Sequence, residues 1–297
     1  MILVALLYAI LAATFIIAKT TLLYAPPFFL IAFRMIFAGL LLLSYYRVVY
    51  GPIVIKTQDY WLFAQTAWYH IFCAFVLEFW ALQYLTALKT TVIYSITPFV
   101  TAIFSYLLLN QLLNTQKIIG ILLGLIGLIP ICLVHAQAEV NLLVWQVSLA
   151  DIVLLIAVIS SAYAWFLVKK LMERGYSLLV INGIVMFFGG ILSEIASLCL
   201  EGIIPQVSNW GLFFQWIALL ILVANVVVYN FYGYLMQRYS LTFISFSGFL
   251  CPVFAALYEW LFLQGTISWH YAVSLVLVTI GLFLFYRTEL KSISLVN

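Results

Sequence analysis

Apolar residues fill this chain in long unbroken blocks, separated by short joints that hold most of the charge. Blocks long enough to cross a bilayer as helices, roughly 17 to 25 residues at 1.5 Å rise, lie near 2–19, 26–46, 61–86, 88–109, 116–135, 148–168, 178–200, 212–237, 241–263 and 267–286. They are too long and too evenly apolar for barrel strands, whose residues would alternate between lipid and lumen. Pro26-Pro27, Gly51-Pro52, Arg174-Gly175 and Gly265 supply the breaks between them. The pattern predicts an all-α polytopic membrane protein of ten transmembrane helices, with one membrane domain over 1–297 and no soluble domain.

The blocks also repeat. Thr91–Pro98 runs through an apolar segment to Gly127, and Ser245–Pro252 runs through another to Gly281. Pro98 and Pro252 stand 154 residues apart, as do Gly127 and Gly281, and Gln83 and Gln237. Repeat one (1–140) and repeat two (145–290) would each hold five spans. An odd number makes the second half enter from the opposite side, so the two five-helix repeats are expected to be inverted. That is the architecture of secondary transporters that work by alternating access.

Composition narrows the class further. The chain is 67% hydrophobic and 7% charged, with a mean hydropathy of +1.23; a soluble surface needs roughly 25% charged residues. An 18% aromatic content suits interfacial Trp and Tyr belts. Met1-Ile2-Leu3-Val4 shows no basic region and no small-residue cleavage site, so it reads as a first span and not a signal peptide. With both termini cytoplasmic, the inner loops and tail carry Arg47, Lys56, Lys117, Lys169, Lys170, Arg174, Arg238, Arg287 and Lys291. The outer loops then carry only Lys19 and Lys89, and Arg34 lies within a helix. The positive-inside rule selects that orientation, in a cell inner membrane. The net charge of +3 therefore orients the chain, and no nucleic-acid partner is expected. Cys73, Cys132, Cys199 and Cys251 sit singly in apolar runs, as small packing residues.

The segment Tyr24-Ala25-Pro26-Pro27 followed by Arg34 resembles the second helix of the drug/metabolite transporter superfamily, in its ten-helix EamA-type members. So do Ala81-Leu82-Gln83-Tyr84-Leu85-Thr86-Ala87 leading into Thr97-Pro98, and the glycines Gly120, Gly124 and Gly127. The resemblance covers nearly the whole chain and implies a metabolite carrier. Such proteins often have Glu at the cytoplasmic end of the fourth helix and near the end of the ninth. Asn110-Gln111 and Gln264 stand there in this chain. Members from intracellular bacteria that take up S-adenosylmethionine are similar around the first two helices.

Ionisable residues inside a bilayer are costly, and are functional candidates for that reason. Arg34 could hold a substrate carboxylate, pair with Glu78, or bond the broken backbone near Pro26-Pro27. Glu78 could bind a cationic amine or carry a coupling proton. Glu259 shares a helix face with Pro252 and Ser245. Thr90, Tyr94, Thr97 and Thr101 form a polar stripe on the fourth span beside Pro98, and Asn225, Tyr229 and Tyr232 form one on the eighth. Tyr8 and Trp165 are candidates for stacking on substrate. The expected contacts are therefore Tyr8, Arg34, Glu78, Tyr94, Thr97, Trp165, Asn225, Tyr229 and Glu259. Gly120 and Gly124 read as close helix packing, and Glu194 as a packing or interface residue. His70, His135 and His270 read as interfacial or structural. No P-loop, HExxH or GxSxG motif supplies enzymatic chemistry, and no cofactor or metal is expected.

The function expected is secondary-active transport of a small organic metabolite: an amino acid, an aromatic metabolite, or a nucleoside-like compound such as S-adenosylmethionine. Its partners are that substrate and the lipid bilayer, with protons a candidate coupling ion and a homodimer a candidate assembly. Two other classes stay open at this point: a membrane-embedded enzyme acting on lipid, and a passive channel or structural subunit.

Overall fold

The computed structural model describes residues 2–85, 87–109, 114–138, 148–263 and 269–294. Glu259 lies in a helix, but its side chain falls outside the described residues, as do those of Cys132, His135 and His270. Asn110, Gln111 and Gln264 fall outside them altogether.

Among the described residues the regular structure is helical. Helix α1 is Ile2–Thr21, α2 Pro27–Tyr50, α3 Thr57–Tyr84, α6 Leu149–Glu173, α7 Leu178–Leu200 and α8 Trp210–Met236. Between and after them lie α4, in two pieces (Ala87–Tyr94 and Thr97–Leu109), and α9, in two pieces (Leu241–Ser247 and Leu250–Leu263). Helices α5 (Thr115–Ala138) and α10 (Trp269–Ser294) complete the set. Eight of these are long and apolar enough to cross a membrane, and α5 and α10 carry shorter apolar stretches.

The fourth and ninth spans are both broken ahead of a proline. Pro98 has no N–H to offer the carbonyl of Tyr94, four residues earlier. The Thr97 hydroxyl donates to that carbonyl instead. In α9 the Gly248 N–H turns to Ser245 O at 2.9 Å, and Cys251 N–H to Gly248 O at 2.9 Å. The expected common face of Ser245, Pro252 and Glu259 is thereby interrupted. Two other helices depart from α geometry in the opposite sense. Ala67–Cys73 in α3 and Ile221–Val228 in α8 are π-helical, and the two segments begin 154 residues apart. A π segment inserts an extra residue into the helical ladder and recurs at functional sites.

The chain divides into two compact units. The first comprises Met1–Ala13, Ala87–Ile152 and Leu235–Asn297; the second comprises Thr14–Thr86 and Val153–Tyr234. In the first unit α5 and α10 pack backbone against backbone. A Cβ added to Gly281 would stand 2.7 Å from Gly120 O, so these glycines set the separation of the helices. The same unit holds the Lys89–Asp151 ion pair at 2.8 Å and the Ser105–Thr242 hydroxyl contact at 2.9 Å.

In the second unit α2 and α7 pack along their lengths. A Cβ on Gly39 would lie 2.6 Å from Phe187 N and 2.7 Å from Gly183 O. The start of α2 is fixed by residues distant in sequence. Pro26 is held extended by the proline after it, and Pro27 is preorganised for the first helical position. Proline has no side chain to cap the free N–H groups. The Glu201 carboxylate, at the end of α7, does so, accepting from Phe28 N and Phe29 N at 2.8 Å each. A carboxylate there also meets the positive end of the helix dipole. Lys19, expected in an outer loop, ends α1 and donates its Nζ protons to Leu82 O and, at 2.9 Å, to Leu85 O, closing the C-terminus of α3. Asp59 binds Arg174 and accepts from the Tyr176 hydroxyl at 2.6 Å, tying the start of α3 to the turn after α6.

Candidate functional site

Five of the nine expected residues fall in the second unit: Arg34 on α2, Glu78 on α3, Trp165 on α6, and Asn225 and Tyr229 on α8. The other four, Tyr8, Tyr94, Thr97 and Glu259, belong to the first.

Arg34 is 3% exposed, seven residues into α2. Its Nε–H donates to Asn225 Oδ1 at 2.6 Å. Asn225, fully buried within the π segment of α8, turns its amide hydrogens to Met35 Sδ at 3.1 Å and Met186 Sδ at 3.6 Å. Thioethers accept weakly, so the amide is oriented chiefly by the guanidinium. The charge also lies over the Phe75 ring, 5.0 Å from its centroid, and near Phe79 at 5.6 Å. Glu78 and Tyr229 are within electrostatic reach of it. Arg34 therefore has two kinds of support, an amide oxygen and ring faces, and its electrostatic partner Glu78 shares the same unit. The Nη groups have no hydrogen-bond partner among the described residues. A planar fork with free donors is the geometry that takes a carboxylate on two oxygens.

Beside this cation lies a cluster of rings. Trp165 stacks on Tyr232 with centroids 4.0 Å apart and planes at 19°. Tyr229 meets Trp165 at 5.7 Å and Phe75 at 6.1 Å. His70 forms T-shaped pairs with Trp165, centroids 4.6 Å apart, and with Tyr229 at 5.2 Å. Sequence reasoning placed His70 at an interface or in a structural role; it is 1% exposed, inside the cluster. Phe75, Met35 and Met186 were also missed, since an apolar residue in an apolar span carries no signal of its neighbours. His70 carried one, being a lone imidazole in an apolar block. Tyr232 was legible from its spacing to Asn225 and Tyr229.

In the first unit, two expected substrate contacts are engaged with broken backbone. The Thr97 hydroxyl is taken by Tyr94 O. The Tyr8 hydroxyl donates to Ile244 O at 2.6 Å. That carbonyl is the one the Gly248 N–H leaves when it turns to Ser245, so Tyr8 caps the break in α9. Tyr8→Phe is expected to lower stability by about 1–3 kcal/mol, the cost of a buried acceptor left unpaired, with the substrate KM held near wild type. Thermal unfolding in detergent, measured alongside uptake, checks this. A raised KM with an unchanged unfolding midpoint would return Tyr8 to the substrate contacts.

Residues 1–133 and 148–287 match the EamA-like transporter family. Three curated relatives are each 29% identical over 290 residues, 94% of this chain. They are S-adenosylmethionine/S-adenosylhomocysteine transporters from Chlamydia muridarum (89% of that protein covered) and from Chlamydia trachomatis serovars L2 and D (86% covered). A solved crystal structure of 17% identity superposes with a TM-score of 0.72, covering 96% of this chain and 95% of that one, which shows a shared fold.

Proposed function

Because this chain belongs to the EamA-like transporter family and is a multi-pass membrane transporter of a small metabolite, we propose that its substrate is an amino-acid-bearing nucleoside of the S-adenosylmethionine or S-adenosylhomocysteine type. The observation that carries the reading is one continuous set of side chains in the second unit. It runs from a buried guanidinium whose Nη donors have no hydrogen-bond partner among the described residues, through Phe75, to the rings of Tyr229, Trp165 and Tyr232. Such a substrate has matching chemistry at both ends. Its carboxylate suits Arg34, its ammonium or sulfonium suits Glu78, and its base suits the aromatic faces. The named substrates of the chlamydial relatives support the same choice.

We read the carrier as two inverted five-helix halves working by alternating access, in an inner membrane with both termini cytoplasmic. The 154-residue spacing of the proline breaks and of the π segments supports the repeat. The bias of basic residues supports the orientation. Protons are the proposed coupling ion, with Glu78 their carrier.

Uptake into vesicles reconstituted with the purified protein tests the reading. Labelled S-adenosylmethionine is expected to accumulate saturably, to be competed by unlabelled S-adenosylhomocysteine, and to rise with an inward proton gradient. Uptake no greater than in protein-free vesicles would overturn the substrate assignment. Saturable uptake indifferent to the gradient would keep the substrate and remove the proton.

A further inference from the structure

We propose that His70 selects the base of the substrate, accepting a hydrogen bond at a ring nitrogen from the base's exocyclic amine while the base packs against Trp165. The inference rests on the nucleoside reading above and adds to it the residue and atom that distinguish one base from another.

Two independent observations meet at this side chain. His70 is 1% exposed, yet neither Nδ1 nor Nε2 has a hydrogen-bond partner among the described residues. Buried polar atoms are nearly always paired, and each exception asks for a reason. It also lies in the π segment of α3, a distortion that tends to be kept where function needs it. A neutral imidazole has one N–H and one lone pair. The imidazole plane stands at 78° to Trp165 and at 66° to Tyr229, and neither ring hydrogen-bonds its nitrogens. A ring face gives nothing to a lone pair. The partner that the lone pair lacks is a donor.

The surroundings say what carries that donor. Trp165 is backed by Tyr232, which holds the indole in plane, and Trp165 itself is only partly buried. A flat heterocycle can lie on such a surface. Stacking accepts any base, because every base has a π-face, so selection needs a polar group at the ring edge. His70 is that group. A substrate ammonium is already matched by the Glu78 carboxylate in the reading above, so the donor left for His70 is an uncharged amine of the base. A neutral aryl amine, such as the 6-amino group of a purine, meets both conditions.

The test is equilibrium binding to the purified full-length protein of S-adenosylhomocysteine and of adenosine, each compared with its analogue that has hydrogen in place of the 6-amino group. Wild type should prefer the amine-bearing ligand by about 10- to 100-fold. In His70→Phe the preference should fall to within about 3-fold, while the analogue binds as it does to wild type. His70→Gln keeps a carbonyl acceptor and should retain part of the preference, which covers the case of a phenylalanine variant that fails to fold. A preference that survives intact in His70→Phe, or no preference in wild type, overturns the inference and leaves the substrate assignment standing. Wild type that binds adenosine with this preference but not S-adenosylhomocysteine supports the role of His70 and sinks the substrate assignment. Binding of neither S-adenosylhomocysteine nor adenosine ends both.

Discussion

Arg34→Ala is expected to weaken S-adenosylhomocysteine binding by about 2–5 kcal/mol, or roughly 30- to 4,000-fold in dissociation constant. The guanidinium is buried, held through Nε by Asn225 at 2.6 Å and by the faces of Phe75 and Phe79. Its Nη donors, unpartnered among the described residues, can take both oxygens of a carboxylate. In a site of low dielectric such a pair is worth several times its value in water. Arg34→Lys should restore little, because an ammonium is a point charge without the planar fork and cannot keep the Nε bond to Asn225. Titrating each variant with S-adenosylhomocysteine and with adenosine separates binding from folding. Adenosine has no carboxylate and should bind Arg34→Ala nearly as it binds wild type. Equal losses for both ligands would mean that Arg34 holds the unit together and does not hold the substrate.

Asn225→Asp should produce the opposite combination, a stable protein that no longer binds. The substituted carboxylate would stand at the Arg34 Nε and neutralise it. Buried ion pairs are close to neutral for stability when both partners are present, so the thermal midpoint should stay near that of wild type. A substrate carboxylate approaching the same cation would then meet a like charge, at a cost of several kcal/mol, so binding should fall by about 100-fold or more. Asn225→Ala leaves Arg34 without its amide partner and should instead cost about 1–3 kcal/mol of stability. Unfolding midpoints and S-adenosylhomocysteine affinities of the two variants together decide the matter. An aspartate variant that binds like wild type would take the carboxylate away from Arg34.

Much of the architecture is a one-dimensional property of this chain. Membrane helices follow from the length of the apolar blocks, because a span needs only enough apolar residues to cover the hydrocarbon. The breaks at Pro98 and Pro252 follow from a missing N–H, which is a fact about proline wherever it stands. That Gly120 and Gly124 mark a close helix contact was legible as small residues at helical spacing, while Gly281 as the partner of Gly120 was not. Arg34, Glu78 and Asn225 could be singled out because a polar residue in an apolar block is itself the signal.

What the residues touch was settled only by tertiary structure. Arg34 and Asn225 are 191 residues apart, and no periodicity along one helix reports a partner on another. Glu201 caps a helix that begins 174 residues earlier, at Pro27. Tyr8 and Thr97 looked like substrate contacts by type, and became caps once the carbonyls freed near Gly248 and Pro98 lay beside them. The π segments at Ala67–Cys73 and Ile221–Val228 shift the helical phase over too few residues for the apolar pattern to register it. That local shift carries His70 and Asn225, so the place where the polar groups converge was decided by packing between helices and not by any single stretch of sequence.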